Sequence, residues 1–139
     1  MPKLKVFTIV GTRPEIIRLS LIIPLFEKYF DHLFIHTGQN YDYELNEIFF
    51  SDLGLKIPDV FMNIDNSSFG KAIGDIFIKT EQLFRSNTPD ALVVLGDTNS
   101  SLSAYIAKRF HIPIYHMEAG NRSFDNNVPE EINRKMIDH

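Results

Sequence analysis

A chain of 139 residues with 44% hydrophobic residues is long enough for one domain with a buried core. Its 18 acidic against 14 basic side chains give a formal net charge of −4, and the scattered Lys and Arg exclude the clustered positive face of a nucleic-acid binder. With no cysteine, disulfides and thiolate metal sites are excluded, and a reducing compartment, the cytoplasm, is the expected location. The first five residues run into a strand pattern without an export signal. The apolar stretch 19–26, interrupted by Ser20 and Pro24, is far shorter than the ~20 residues of a membrane helix.

Residues 4–10 form a continuous apolar run rich in β-formers, the pattern of a strand buried on both faces of a parallel sheet. After Gly11-Thr12-Arg13, Pro14 and Glu15 open a helix that keeps Ile16, Ile17, Ser20, Ile23 and Phe26 near one face, kinks at Pro24 and reaches Tyr29. Residues 32–36 read as a second strand, followed by the loop Thr37-Gly38-Gln39-Asn40. A helix over 42–53 carries Leu45, Ile48, Phe49 and Leu53 at helical spacing, with Gly54 as its C-cap. Residues 55–66 are a connection with a short strand at Val60-Phe61-Met62. Ser68 caps a long helix over 69–86 that turns Ile73, Ile76, Phe77, Thr80 and Phe84 inward. Residues 91–95 form another strand, ending at Gly96-Asp97-Thr98-Asn99. A helix over 100–110 and a strand over 112–117 follow, the strand ending at Glu118-Ala119-Gly120. Pro129 and two acids open a last helix, which reaches His139 without a C-cap signal, the pattern expected of a domain cut short.

Strands alternating with helices predict an α/β fold, a Rossmann-like parallel sheet with helices on both faces. Ligands bind such sheets beyond the carboxyl ends of the strands, where polar residues recur in this chain. Gly11-Thr12-Arg13 is neither a three-glycine dinucleotide fingerprint nor a Walker loop, so NAD and ATP roles lose support. It offers a helix N-terminus able to receive an anion and Arg13 as a fork for phosphate or carboxylate oxygens; Arg13 paired with Glu15 is an equal reading. Asp97 and Glu118 should emerge at the same rim, and on neighbouring strands ~5 Å apart they could share a cleft. Mutual repulsion would then raise at least one pKa toward neutrality, as acid–base work requires. Alternatively, Asp97 caps the helix beginning near Asn99 and Glu118 pairs with Arg122. Of His36, His111, His116 and His139 only His116 lies near the rim, and without His-x-x-His or Glu-x-x-His spacing no metal site is expected. The many Phe side chains read as core packing.

Four strings, Gly11-Thr12-Arg13-Pro14-Glu15, Gly96-Asp97-Thr98, His116-Met117-Glu118-Ala119-Gly120 and Pro129-Glu130-Glu131-Ile132-Asn133-Arg134, together and in this order resemble the non-hydrolysing UDP-N-acetylglucosamine 2-epimerases. Residues 37–46 and Glu118-Ala119-Gly120-Asn121-Arg122 are similar to a branch acting in bacterial surface-polysaccharide pathways. That branch makes UDP-N-acetyl-L-fucosamine by 2-epimerising UDP-2-acetamido-2,6-dideoxy-L-talose. The better-known UDP-N-acetylglucosamine enzymes usually have His where Asn40 stands, Leu at Asn121 and Lys at Arg18.

The resemblance implies a GT-B-type arrangement of two Rossmann-type domains with the substrate between them, residues 1–139 being the N-terminal domain and the C-terminal domain absent. The second domain would grip most of the UDP and bring a further catalytic His. The implied chemistry is elimination of UDP to a 2-acetamidoglycal followed by readdition. Asp97, Glu118 and Glu130 match the catalytic acids, and Arg13, Gln39 and Arg134 the binding residues. No cofactor is implied. The implied partners are a UDP-sugar and a second copy in a homodimer, with no nucleic acid and no membrane. The competing readings are half of a GT-B-type glycosyltransferase and a stand-alone nucleotide-binding module.

Overall fold

The computed structural model describes residues 2–39 and 43–139, and in the helix that begins at Tyr43 it describes side chains from Glu47 onward. Five parallel strands, β1 (Lys5–Val10), β2 (Asp31–His36), β3 (Val60–Phe61), β4 (Ala91–Leu95) and β5 (Ile114–Met117), form one sheet in the order β3-β2-β1-β4-β5. β1 is central, with Phe7 in register with Leu33 of β2 and with Leu92 of β4. The chain builds outward to β3, then returns past β1 to lay down β4 and β5. The topological switch therefore lies between β1 and β4, where the loops beyond the strand ends diverge and open a crevice.

Alternation along β1 divides the interior into two cores. Phe7 and Ile9 point to one face, where they pack with Ile76 and Phe84 of α4 (Phe69–Ser86) and Ala104, Ile106 and Ala107 of α5 (Ser103–Arg109). Val10 and Phe34 point to the other, against Ile16 and Leu19 of α1 (Arg13–Leu19), Ile23 of α2 (Ile23–Tyr29) and Phe50 of α3 (Tyr43–Asp52). Helices thus cover both faces of the parallel sheet, as the sequence predicts. The last helix, α6 (Pro129–Asp138), adds Ile137 to the edge of the first core. No described helix is long and apolar enough to cross a membrane.

α4 has the expected bounds, and the Ser68 hydroxyl caps it by accepting from the Lys71 N–H at 3.1 Å. Gly54 ends α3 with φ +70°, a conformation that favours glycine. Other elements depart from expectation. The helix foreseen between Pro14 and Tyr29 is two helices, because Pro24 lies in the first turn of α2 and starts a new helix instead of bending the old one. Within α1 the buried face carries Ile16 and Leu19, three residues apart, which leaves Ile17 51% exposed. In α3 Phe49 and Leu53 pack against the second core as expected, but the most buried side chain is Phe50 and Ile48 is 67% exposed, so the inward face is turned from the expected one. Asn40 and the start of α3 expected at Asp42 lie outside the described residues, and the Leu45 side chain outside the described side chains. The helix expected over 100–110 begins as a 3-10 turn at Asn99–Leu102. There the buried Ser101 and Ser103 hydroxyls donate to the Leu95 and Ser100 carbonyls, local bonds that compete with α-helical ones.

The two faces of this reading separate by mutation. Phe84 is fully buried, 6.1 Å from the Phe7 ring and 5.8 Å from the Phe110 ring. Phe84→Ala should cost roughly 3–5 kcal/mol, whereas Ile17→Ala should stay within about 0.5 kcal/mol of the parent. Urea denaturation of the two variants checks this, and a loss at Ile17 as large as that at Phe84 would contradict the outward placement of Ile17 on α1.

Candidate active site

Parallel strands bring every exit loop to one rim: Gly11–Arg13 after β1, 37–39 after β2, 96–99 after β4 and 118–122 after β5. At the β1/β4 switch lies a cleft of about 360 Å³, whose lining includes Gly11, Thr37, Ile64, Asp97, Glu130 and Asn133. A smaller cleft of about 250 Å³ beside it shares Asp97 and Glu130 and adds Arg122 and Arg134. Asp97 and Glu130 therefore border the same space, although 33 positions separate them in the chain.

α6 brings them together. Its Arg134 donates from Nε to Asp97 Oδ2 at 2.7 Å, with Nη2 2.6 Å from the same oxygen. Next to it, the buried Asn133 donates from Nδ2 to the Asp97 carbonyl at 2.9 Å and to Asn99 Oδ1 at 3.0 Å. Consecutive side chains of one helix thus hold both the backbone and the carboxylate of the β4 loop. Asp97 is not the cap of the following turn, where Thr98 stands at the N-cap.

Glu118 follows β5 with φ +61° and is ion-paired to Arg18 at 2.9 Å, not to Arg122. It lines neither cleft. The expected repulsion between Asp97 and Glu118 is replaced by two separate pairings, each acid with its own arginine. Arg122 instead meets Asp138 at 2.6 Å. Arg13 is exposed, its guanidinium 5.2 Å from the Phe49 ring centre, an attractive cation–π placement. Gln39 does not line the cleft either: it donates from Nε2 to the Ile64 carbonyl at 2.6 Å, joining the β2 loop to the segment after β3.

Glu15, which the sequence offered as a helix-opening acid and as a partner for Arg13, is enclosed at the β1 turn, at 2% exposure. Its Oε2 accepts from the Gly11 N–H at 2.8 Å, the Thr12 N–H at 2.7 Å and the Thr12 hydroxyl at 2.9 Å. Its Oε1 accepts from the Thr98 and Ser100 hydroxyls at 2.8 and 2.9 Å. The α1 N-terminus, foreseen as an anion site, thus already holds an anion of the chain itself. The spacing Thr12-x-x-Glu15, that of a capping box, was the signal available for it.

Two further acids order the segment after β5. Glu131, 1% exposed, accepts from the Ser123 N–H and hydroxyl, both at 3.3 Å, and from the Phe124 N–H. Burial pushes its pKa up, but these donors outweigh burial and leave it below the ordinary value. Asp138 accepts from the Gly120 N–H at 3.0 Å besides its pair with Arg122. Burial again pulls upward, and Arg122, Gly120 and His116 together hold the Asp138 pKa below its usual range. His116 directs Nε2 to the Gly96 carbonyl at 2.7 Å, so that nitrogen carries the proton. Its Nδ1 lies 3.0 Å from Asp138 Oδ1, within ion-pair distance but outside hydrogen-bond geometry. Among the described residues no group of three or more His, Cys, Asp or Glu could hold a metal ion.

A cleft at the switch point of a parallel sheet, bordered by acids and arginines, defines an α/β domain suited to an anionic small-molecule ligand. Comparison with known proteins narrows the class. A family model for UDP-N-acetylglucosamine 2-epimerase matches residues 26–139. The UDP-N-acetylglucosamine 2-epimerase of Methanocaldococcus jannaschii is 45% identical over 138 residues, 98% of this chain and 38% of that protein. The UDP-2,3-diacetamido-2,3-dideoxy-D-glucuronate 2-epimerase of Pseudomonas aeruginosa is 38% identical over 97% of this chain and 39% of its own length. The solved UDP-N-acetylglucosamine 2-epimerase of Rickettsia bellii superposes with a TM-score of 0.93 at 55% identity, over 99% of this chain and 37% of that one. The M. jannaschii enzyme in complex with UDP-GlcNAc and UDP gives 0.88 at 45% identity, over 97% and 38%. The chain belongs to the UDP-N-acetylglucosamine 2-epimerase family and spans about 38% of the length of these relatives, the first half of their GT-B-type fold.

The depressed carboxyl pKa values give a pH prediction. A group whose folded pKa lies below its unfolded value stabilises the fold above the unfolded pKa, about 4 for a carboxyl. That stability is lost as the pH falls through the folded pKa. For Glu131 and Asp138 the loss should therefore begin near pH 4 and continue below it, freeing the 118–124 segment from α6. Melting curves between pH 7 and pH 3 should show Glu131→Gln and Asp138→Asn less stable than the parent at pH 7 but losing less on acidification. Equal acid sensitivity in all three would remove these two groups as its source.

Proposed function

We propose that the chain supplies the acid–base half of a UDP-N-acetylhexosamine 2-epimerase, the other half of the cleft belonging to a second domain. The observation that carries this reading is the shared cleft of Asp97 and Glu130 at the strand switch point. Carbon 2 of such a sugar has no adjacent carbonyl, so its proton is not acidic enough for simple removal. Elimination avoids the difficulty. A carboxylate takes the carbon-2 proton, the C–H electrons form the bond to carbon 1, and UDP leaves with the electrons of the C–O bond. UDP oxygen then adds back to carbon 1 while a carboxylic acid protonates carbon 2 from the opposite face.

Asp97, Glu130 and Glu118 are the acids of this proposal. Asp97 is the most firmly held, with Arg134 on one carboxylate oxygen. The Arg18–Glu118 pair is exposed and worth at most about 1 kcal/mol, so Glu118 can exchange it for a contact with substrate. Arg13, exposed at the rim, is placed to balance charge growing on the departing diphosphate. Arg134 acts through Asp97 as well as on the ligand. Gln39 has a binding role only if it exchanges its bond to Ile64 for one to the sugar nucleotide.

The substrates in the relatives' names share UDP and a 2-acetamido sugar, which supports that class. Within it, Asn121 and Arg122 favour UDP-2-acetamido-2,6-dideoxy-L-talose and a place in surface-polysaccharide synthesis. A cytoplasmic homodimer needing no cofactor completes the reading. A glycosyltransferase would release UDP only with an acceptor present, whereas the epimerase returns an isomer with the nucleotide attached.

In the longer protein, Asp97→Asn should leave the fold intact and lower turnover by ~100-fold or more, the scale of lost acid–base catalysis. Turnover in heavy water should place deuterium at carbon 2 of the product, observed by NMR; product without it would exclude elimination and readdition. The 139-residue chain alone should not interconvert any UDP-N-acetylhexosamine. A fragment within about tenfold of the longer protein, a loss of only ~1.4 kcal/mol in transition-state stabilisation, would show that no second domain is required.

A further inference from the structure

Glu15 has more bonds than its helix requires. A capping box needs one, donated by the Thr12 N–H to the carboxylate, and would form in an isolated helix. The Thr98 and Ser100 hydroxyls, 83 and 85 positions away, close on the other carboxylate oxygen, and they also lie 2.6 Å from each other. Gly11 adds a steric constraint at the same junction. A Cβ there would lie 2.7 Å from Thr37 Oγ1 and 3.1 Å from Ser100 Cβ, so the β1, β2 and β4 loops meet without space for a methyl group. Thr12 is followed by Arg13, and Thr98 is preceded by Asp97. The buried carboxylate therefore ties the turn that carries the diphosphate-facing arginine to the loop that carries the proton-transfer acid.

We propose that Glu15 is a positioning residue of the epimerase reaction: through Gly11, Thr12, Thr98 and Ser100 it fixes Arg13 relative to Asp97, without itself touching the substrate. The role rests on the epimerase reading, but the mechanical link between the loops does not. Elimination couples removal of the carbon-2 proton by the acid to departure from carbon 1 of the diphosphate that the arginine faces, so the two groups must be aligned with each other. A displacement of one loop by a fraction of an ångström should thus slow the chemical step while leaving binding largely unchanged.

The test uses two variants of the longer protein. Thr98→Val with Ser100→Ala keeps Glu15 and its bonds within the α1 turn, but removes the donors on the β4 side. Glu15→Gln keeps an oxygen for the Gly11 and Thr12 amides and removes the charge. Both should lower kcat at least tenfold, leave KM within about threefold and leave the limbs of the pH–rate profile where they are in the parent. A folded variant of either kind with kcat within twofold of the parent would overturn the proposal. So would a rise in KM without a fall in kcat, or a displaced pH limb in Glu15→Gln, which would make Glu15 a proton-transfer group.

Amide hydrogen exchange on the 139-residue chain reads the link without any reaction. In Thr98→Val/Ser100→Ala the Gly11 and Thr12 amides should exchange at least tenfold faster than in the parent chain, and unchanged exchange would overturn the link. A parent protein without epimerase activity would refute the functional reading and with it the catalytic role assigned to Glu15. Exchange would then still decide whether the carboxylate couples the loops.

Discussion

β1 is paired with β2 on one side and β4 on the other, and that central place constrains the rest of the molecule. Its side chains feed both cores, so neither helical layer packs independently of it. Its exit turn stands beside that of β4 although Gly11 and Gly96 are 85 positions apart. At that junction the half-buried Gly11 and Thr12 amides leave the sheet ladder and need other acceptors. A buried carboxylate is a costly acceptor unless several donors surround it. Glu15 has five, drawn from both loops, so the acid and the two turns satisfy one another.

A second level of order comes from α6. It contributes Asn133 and Arg134 to the β4 loop, Glu131 to the Ser123–Phe124 backbone and Asp138 to Gly120 and Arg122. These contacts lie on successive turns of a ten-residue helix, so its docking sets the position of two rim segments at once. Asp97 and Glu118 each face an arginine. The two pairs differ in enclosure. Arg134 and Asp97 are 25% and 19% exposed, against 57% and 37% for Arg18 and Glu118. On the proposed mechanism the former holds an acid in place while the latter keeps one at the edge, available to a ligand.

The sheet was legible because parallel strands buried on both faces are continuous apolar runs bounded by polar loops, and 91–95 needs no finer signal than that. The rim followed from the same rule, since the residue after such a run must emerge at the carboxyl end, as Asp97 and Glu118 do. Faces of short helices were less legible. Pro24 can bend a helix or begin one, and of the adjacent Ile16 and Ile17 only the first faces the core in α1. Which acid meets which base was not legible at all. Arg18 is nearer in sequence to Glu15 than to Glu118, and only the folded loops decide that it reaches across to β5. Gln39 illustrates the same limit, since its bond to Ile64 depends on where the connection after β3 passes.

The occupied N-terminus of α1 bears on how a nucleotide sugar could be held. In many sheets of this kind the first turn gives its amides to phosphate oxygens. Here Gly11 and Thr12 donate to Glu15, so a diphosphate placed on them would have to displace a buried carboxylate that five donors retain. Like charges at that distance would repel strongly in so enclosed a place. On the proposed reading the diphosphate would therefore meet the Arg13 side chain and not the Gly11 and Thr12 amides. One exposed guanidinium resting on Phe49 is a weak grip for two phosphates, although it is well placed to answer charge that appears during the reaction. A division of labour follows on the proposed reading: this domain supplies the acids and the responsive arginine, and the stronger nucleotide contacts lie across the cleft.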